Sequence, residues 1–327
     1  MDFLLSAESA AHKFLLMFLV IALFVIVMGV ILFAVDRPKL PRWVPLVGFL
    51  APALLLLGFG LLYPAIGTIR ASFYDDGGQN FVALENYQTV LTNSDLLLVL
   101  RNTALWVFLV PLLATGFGLI YAVLVDRTRF EKVAKALIFL PMAISMVGAS
   151  IIWKFVYDYK SSAAPQTGLA NQFLKLLGFD TQQFLLNTPW NNFFLIAVMV
   201  WIQAGFAMTI LSAAIKAIPD DIIEAAKLDG VSGFRMFRYV TLPSVRPAVV
   251  VVLTTIAMAT LKVFDIVYTM TGGRDPNTSI VANEFYIRSF SYGQQGLGAT
   301  LAVLLFILVI PILMYNVRQM RLSEEQR

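Results

Sequence analysis

The sequence predicts an all-α integral membrane protein with about seven transmembrane helices, and three observations support this fold class. Hydrophobic residues make up 59% of the 327 residues and charged residues only 13%, whereas ordinary soluble domains carry about 25% charged residues. The mean hydropathy is +0.79. Several apolar runs also reach the roughly 20 residues that a helix needs to cross a bilayer.

Seven apolar runs meet this length requirement. They are residues 14–35, 46–69, 103–125, 136–157, 193–215, 246–270 and 298–317. Single prolines inside them, such as Pro141 in the fourth run, are compatible with a span because neighbouring helices can satisfy the freed carbonyl groups.

The first apolar run predicts a permanent helix. It is longer than the apolar part of a signal peptide and lacks a small-residue cleavage site. We therefore divide the chain into residues 1–45, an extra N-terminal transmembrane helix with its cytoplasmic link, and residues 46–327, the main transmembrane domain. His12, at the mouth of the first run, is interpreted as an interfacial residue without a chemical role.

The distribution of Lys and Arg predicts the orientation, because cytoplasmic loops of membrane proteins are enriched in these residues. Residues 36–43, 126–135, 216–246 and the tail after 317 hold fifteen of the 24 Lys and Arg residues, whereas the three alternate loops hold two each. The richer set is expected in the cytoplasm. Seven spans then place the N-terminus outside and the C-terminus inside.

Two external segments, residues 73–95 and 158–192, are too short to fold as independent domains. Both contain Gly, Asn, Gln and aromatic residues, with short amphipathic patches such as 169–177. They are interpreted either as interfacial helices and loops lying on the bilayer or as a docking rim for an extracytoplasmic partner.

The composition leaves little material for chemistry within the chain. There is no cysteine and one histidine, so a disulfide framework and thiolate metal sites are excluded. A nucleotide-binding P-loop needs Gly-x-x-x-x-Gly-Lys-Ser/Thr, and the sequence contains no such segment. We therefore expect no catalytic residue, no metal site and no cofactor in this chain, and any energy must come from a partner.

A polar, charged segment at residues 218–243 separates the fifth and sixth runs and predicts a helix–turn–helix hairpin. Asp220 or Asp221 can cap a helix that begins near Ile222. Gly230 and Gly233 supply the turn, and a second short helix at 234–240 is expected to end at Leu242-Pro243. Apolar residues beside directed charges indicate a protein interface, and an ordinary amphipathic interfacial hairpin is the alternative.

This hairpin resembles the signature loop, or EAA motif, of importer-type ABC transporter permeases. The family pattern is Glu-Ala-Ala, three residues, Gly, nine residues, an aliphatic residue, one residue and Leu-Pro. The matching residues are Glu224, Ala225, Ala226, Gly230, Val240, Leu242 and Pro243, with Asp229 as the commonly seen acid before the glycine. Segments 72–87 and 264–273 are similar to MalF-like carbohydrate permeases and point to the oligosaccharide or α-glucoside branch.

The resemblance implies an ABC importer type I permease fold in which the hairpin couples the chain to ATP hydrolysis. Glu224 would pair with a basic residue in a cleft of a separate ATPase subunit, and ATP-driven closure would rock the helices between inward- and outward-facing states. The implied partners are a second homologous permease, two ATPase subunits that bind ATP and Mg²⁺, and an extracytoplasmic sugar-binding protein. The implied location is a bacterial inner membrane, among lipids and without nucleic acid.

The fifth and sixth runs also contain candidates for a sugar path, since polar groups at membrane depth are costly and often functional. In MalF-like permeases the corresponding helices line the translocation cavity. The candidates are Gln203, Phe206, Thr260, Lys262, Phe264 and Asp265. Polar groups can bond sugar hydroxyls, and aromatic rings can cover the apolar faces of sugars.

Structural interpretations of the same residues remain open. Lys262 and Asp265 are three residues apart and could neutralise each other. Thr260 could bond a carbonyl of its own helix, and Gln203 could bond a neighbouring helix. The sixth run also departs from the best-known maltose permease pattern, with Leu261-Lys262 where that pattern has an asparagine pair.

Two other classes of function are alternatives to an ABC permease. An ion-coupled secondary transporter or channel would need charged relays within the spans, where acids are almost absent apart from Asp265. A membrane-embedded enzyme would need clustered acids or histidines. The hairpin favours the permease over both.

Overall fold

The computed structural model describes residues 10–35, 41, 43–126, 128–161 and 164–325. The all-α membrane fold is confirmed: six helices of the described chain are long and apolar enough to cross a membrane, or seven if one bent pair is a single span. Five basic residues counted above lie outside the described residues, namely Arg37, Lys39, Arg42, Arg127 and Arg327.

Contacts between Cα atoms divide the chain into two units, Met1–Gly67 and Thr68–Arg327. The first contains α1 (Ala10–Val35) and α2 (Trp43–Leu57), and α2 continues through a π-helical turn into α3 (Tyr63–Ala71). The sequences of α1 from Phe14 onward and of α2 are apolar on every side, as expected for helices that face lipid. The division expected after residue 45 stays a prediction.

The second unit holds the main bundle. Its helices are α4 (Glu85–Thr92), α5 (Ser94–Val125), α6 (Glu131–Phe139), α7 (Met146–Val156), α8 (Leu169–Leu176), α9 (Asn191–Lys216), α10 (Asp220–Leu228), α11 (Gly233–Met236), α12 (Leu242–Leu261), α13 (Asp265–Thr271), α14 (Val281–Tyr286) and α15 (Gln295–Glu325). The long helices α5 and α9 pack at its centre. A glycine allows their close approach, because a β-carbon on Gly118 would lie 2.4 Å from that of Ala207.

The sequence predicts one continuous helix for the fourth apolar run, but in the structure this run is bent. Helix α6 and the short 3-10 turn Leu140–Ala143 meet α7 at an angle of 101°. Pro141 lacks an amide hydrogen and disfavours a continuous α-helix before it. Ser145 then starts a new helix, because its hydroxyl accepts the Gly148 amide at 3.1 Å.

The sixth run is also interrupted, whereas the sequence predicted one span over 246–270. Helix α12 ends at Leu261, and a separate short helix, α13, begins at Asp265. Lys262 follows the negative end of α12 and Asp265 opens the positive end of α13, so both charges favour a break here. Gly272, at φ +76°, ends α13 in the left-handed conformation.

A buried set of amides fixes the loop between α13 and α14. The side-chain amide of Asn102 donates to the carbonyls of Pro276, Asn277 and Ser279 at 3.0, 3.0 and 3.1 Å. Thr103 accepts the Val281 amide at 2.9 Å. The start of α5 therefore holds this loop rigidly against the bundle.

Candidate coupling hairpin and substrate path

The predicted hairpin is present, and its first helix is α10. The helix starts two residues earlier than expected: Pro219 is the N-cap without a side-chain cap bond, and Asp220 and Asp221 lie in the first turn. The expected aspartate cap is therefore wrong. The two carboxylates still favour the helix because they lie at its positive end.

The turn after α10 is a Schellman motif. The Val231 amide donates to the Ala226 carbonyl at 2.9 Å, and the Gly230 amide donates to the Lys227 carbonyl at 3.0 Å. Gly230 has a φ of +77°, and no atom lies within 4 Å of a β-carbon placed there. Glycine is favoured at this motif position by backbone conformation, not by lack of space.

The surface of the hairpin combines large apolar groups with charge. Leu228 is 89% exposed, Phe234 71% and Tyr239 67%. Glu224 and Asp229 are exposed, and in the described chain neither makes an ion pair. Exposed apolar side chains beside available charges are typical of a protein interface.

Not every motif residue faces outward. Ala225 is exposed, whereas Ala226 and the neighbouring Ile223 are half-buried against the rest of the hairpin. Leu228 is the most exposed apolar side chain of α10.

The second arm of the hairpin does not end at Leu242-Pro243, as expected from the sequence. Helix α11 continues through a π-helical turn, Phe237–Thr241, directly into α12, so that Gly233–Leu261 is one span. The Leu242 amide bonds the Phe237 carbonyl five residues back. This wider turn accommodates Pro243, which has no amide hydrogen to donate. A force on the hairpin therefore acts on α12 without an intervening loop.

A cluster of four charges lies at the root of the hairpin, where α9 ends. Lys135 lies 2.6 Å from Glu131 and 3.7 Å from Asp126, and Lys216 lies 3.5 Å from Asp126 and also pairs with Glu131. The carboxylates are mostly buried. This cluster ties α5, α6 and α9 together. Sequence reasoning counted the lysines only as topology markers, although Glu131 and Lys135 at i,i+4 were a local signal.

Gln203 and Phe206 lie in the middle of α9, and both are half-buried. Among the described residues the Gln203 amide has no hydrogen-bond partner. The structural alternative, in which Gln203 bonds a neighbouring helix, is not observed. A polar amide that is unpartnered at this depth remains available for a ligand.

The candidates of the sixth run lie in different environments. Thr260 is 2% exposed and donates to its own helix at Ile256, 2.8 Å away, as in the structural interpretation. Lys262 is exposed and Asp265 half-buried, and no ion pair joins them in the described structure. Phe264 stacks on Tyr268 at 4.9 Å and contacts Tyr286 at 4.6 Å. The path candidates of the sixth run thus differ in burial and in bonding partners.

A cavity of about 570 Å³ lies between α5, the bent α6–α7 pair and α9. Its walls are almost wholly apolar, with Phe117, Pro141 and Trp201 among them, and none of the six path candidates lines it. Within the described residues no group of three His, Asp or Glu side chains could hold a metal ion.

The apolar spans and the exposed hairpin between α9 and α12 define a multi-pass α-helical membrane protein with a surface suited to protein contact. The family model described as "Binding-protein-dependent transport system inner membrane component" matches residues 114–321. The chain belongs to this family and is a multi-pass inner membrane permease subunit. Membership of this family excludes the two alternative functions, an ion-coupled carrier and a membrane-embedded enzyme.

Two curated relatives are each 45% identical to the chain. One is the osmoprotective compounds uptake permease protein GgtC of Synechocystis sp., aligned over 85% of this chain and 100% of the relative. The other is the alpha-glucoside transport system permease protein AglF of Rhizobium meliloti, aligned over 83% of this chain and 80% of the relative. The trehalose/maltose permease MalF of Thermococcus litoralis is 30% identical over 79% of this chain.

The fold also resembles a solved structure, that of a bacterial ABC transporter involved in the import of the acidic polysaccharide alginate. The TM-score is 0.72 at 20% identity, over 86% of this chain and 95% of that chain. At this identity the likeness supports the fold alone, and it agrees with the ABC importer permease architecture.

Proposed function

We propose that this chain is the permease subunit of an ATP-driven importer for a neutral di- or oligosaccharide, such as an α-glucoside. The observation that carries the proposal is the exposed hairpin with the residues of the EAA motif in a rigid Schellman turn. The sugar class is supported by the relative at 45% identity that is named for alpha-glucosides and by the relative at 30% identity that is named for trehalose and maltose.

In this proposal the hairpin sits in a cleft of an ATPase subunit. Glu224 pairs with a basic residue there, while Leu228 and Phe234 fill apolar depressions. When two ATPase subunits close, each pulls its hairpin, and the motion passes into α12 through the continuous π turn. The charge cluster around Glu131 and Lys216 carries the same motion into α9 and the bent α6–α7 pair. Packed elements with two arrangements can transmit such a movement.

The assembly we propose contains a second homologous permease, two ATPase subunits and an extracytoplasmic sugar-binding protein. ATP and Mg²⁺ are bound by the ATPase subunits, since this sequence contains no P-loop. We propose that the hairpin faces the cytoplasm, with the N-terminus outside and the C-terminus inside, because loops rich in Lys and Arg are expected on the cytoplasmic side.

The substrate path we propose runs along the α9 face that carries Gln203 and Phe206, near Lys262, Phe264 and Asp265. Gln203 is its best-supported member because the amide is unpartnered at mid-span. Thr260 has its hydroxyl bonded to Ile256, so it would join the path only after a change of conformation.

The proposal is tested by reconstitution with the subunits encoded beside this chain. Uptake of radiolabelled maltose, trehalose and sucrose into proteoliposomes is measured with and without ATP and the binding protein. We expect saturable uptake of at least one sugar that requires both. The proposal would be overturned by uptake that does not require ATP. It would also be overturned if an assembly with active ATPase took up none of the three sugars.

A further inference from the structure

A second cavity, of about 340 Å³, lies at the end of the bundle opposite the hairpin. It is bounded by the end of α7, the segment 183–186, the end of α13 and the amide-fixed loop 275–278. The position of the cavity follows from Tyr157. The hydroxyl of this residue donates to the carbonyl of Phe194, in the first turn of α9, at 3.2 Å. In the orientation proposed above, this is the outer mouth of the permease.

The wall of this cavity is aromatic. Tyr157 and Phe184 both line it, with ring centroids 5.2 Å apart, and each also contacts Phe194, at 5.6 and 4.8 Å. Tyr157 and Phe184 are each only 7% exposed, so the packing of the rings is fixed. Rigid aromatic faces suit the apolar face of a pyranose ring.

Polar groups without partners complete the lining. Among the described residues, the Lys154 ammonium and the Gln183 amide make no hydrogen bond or ion pair. Two carboxylates, Asp158 and Asp275, lie on the same lining. Donors and acceptors spaced around an aromatic wall are the groups that bind a polyhydroxy compound.

The local charge favours a neutral ligand. Lys160 pairs with Asp158 at 3.5 Å, which leaves Lys154 and Asp275 as one positive and one negative group on the cavity. An anionic or cationic ligand would gain no net attraction from this balance, whereas a sugar can bond both groups.

The cavity is also preformed. Asp275 accepts the amide of Asn277 at 3.0 Å, and Asn277 is bonded through its carbonyl to Asn102 and Asn192. Thr278 is 1% exposed. Little ordering would be needed on binding, which increases affinity.

We propose that this cavity is a vestibule site that receives one pyranose ring of a neutral saccharide before the saccharide enters the membrane path. The inference rests on the proposed sugar-import function. It adds a site, built by Tyr157, Phe184, Lys154, Gln183 and Asp275, that is separate from the mid-span candidates. Its volume is at the low end of the roughly 300–1,000 Å³ of small-molecule pockets, which suits one ring.

The test uses the full complex in nanodiscs, without ATP and without binding protein. The probe is whichever of maltose, trehalose and sucrose the complex imports fastest, and binding is followed by saturation-transfer difference NMR. We expect saturable transfer in the wild type. Gln183→Leu and Lys154→Met should weaken binding about fivefold each, as expected for one lost hydrogen bond. The matched controls Gln88→Leu and Lys175→Met, exposed and away from the cavity, should leave it unchanged.

Absence of transfer in the wild type, or unchanged binding in both cavity variants, overturns the inference. A loss of affinity for the unliganded binding protein, with sugar binding intact, would identify a docking rim instead and also overturn it. ATP-dependent uptake measured on the same preparations keeps the two proposals apart: uptake without cavity binding rejects the vestibule site alone.

Discussion

Gly205 of α9 lies directly against the backbone of the bent α6–α7 pair at Ile138. A β-carbon at position 205 would be 2.5 Å from the Ile138 carbonyl oxygen and 3.0 Å from the Cα atom of Phe139. Because both neighbours are backbone atoms, neither can move aside as a flexible side chain would. The absence of a side chain at Gly205 therefore allows the backbones of α9 and α6 to lie in direct contact.

We expect Gly205→Ala to separate α9 from the bent pair, with a loss of about 1–3 kcal/mol of stability from overpacking. The measurement is the thermal unfolding midpoint of the purified complex, together with sugar uptake. Gly116→Ala is the matched control, because nothing lies within 4 Å of a β-carbon there. A midpoint for Gly205→Ala as high as that of Gly116→Ala would contradict the account.

Gly230 should be intolerant of substitution for a different reason. Gly230→Ala forces an L-residue into the left-handed region at a cost of about 1–2 kcal/mol, and we expect the hairpin to reorient and the stimulated ATPase activity to fall. Gly178→Ala is the control, since Gly178 has a φ of +80° and equally open surroundings. If both variants keep the full stimulated ATPase activity, coupling does not depend on the geometry of the turn at Gly230.

Asn102 should control the order of the loop between α13 and α14. Asn102→Ala leaves three carbonyls without their buried donor, and we expect a loss of about 1–3 kcal/mol and faster amide exchange at residues 277–281. Hydrogen–deuterium exchange with mass spectrometry measures this. Asn187→Ala, which removes an exposed amide bonded to Gln182 at 3.2 Å, should leave the exchange unchanged.

Asp158 gives a pH dependence to the loop that follows α7. The hydrogen bond from the Thr167 hydroxyl is the main reason that the pKa of Asp158 lies below its ordinary value of 3.8; burial opposes it, and the nearby Lys160 ammonium adds a smaller lowering effect. A lowered folded-state pKa means that the stabilisation is present above the unfolded value and is lost as the pH falls through the folded value. The loop should thus be unaffected between pH 5 and 8 and loosen only below about pH 4.

A carbon-13 titration of the Asp158 carboxyl measures this directly. We expect a midpoint below 3.8 in the wild type and a higher midpoint in Thr167→Val, which removes the hydroxyl donor. An unchanged midpoint in that variant would show that the hydrogen bond is not the cause.

The features that the sequence predicts well are those that depend on residues close together along the chain. Spans follow from the length of apolar runs: α9 (Asn191–Lys216) matches the fifth run, whereas α5 ends with the third run at Val125 but begins earlier, at Ser94. The hairpin turn follows from Gly230, because a left-handed residue after a short helix is a local signal. Each of these needs only neighbours along the chain.

The features that were missed depend on pairing across the chain or on competing local effects. Pro141 breaks the fourth run because Ser145 offers a new helix start four residues later, whereas the sequence alone predicts a span that tolerates this proline. In the sequence, Asn102 is an ordinary polar residue near the start of a predicted span. In the structure, its side-chain amide donates to a loop more than 170 residues away. The second cavity likewise joins residues from three separate parts of the chain, near 154–159, 183–186 and 270–278, and no periodicity reveals it.

The most direct test of the coupling role is Glu224→Lys, assayed for membrane insertion, sugar uptake and ATPase stimulation in reconstituted vesicles. The exposed Glu224 has no ion pair within the described chain, so its reversal should not disturb folding. Glu85→Lys, an exposed acid on α4, controls for the charge change. We predict normal insertion with uptake and stimulated ATPase abolished in Glu224→Lys alone. Normal transport by Glu224→Lys would contradict the coupling role of the hairpin.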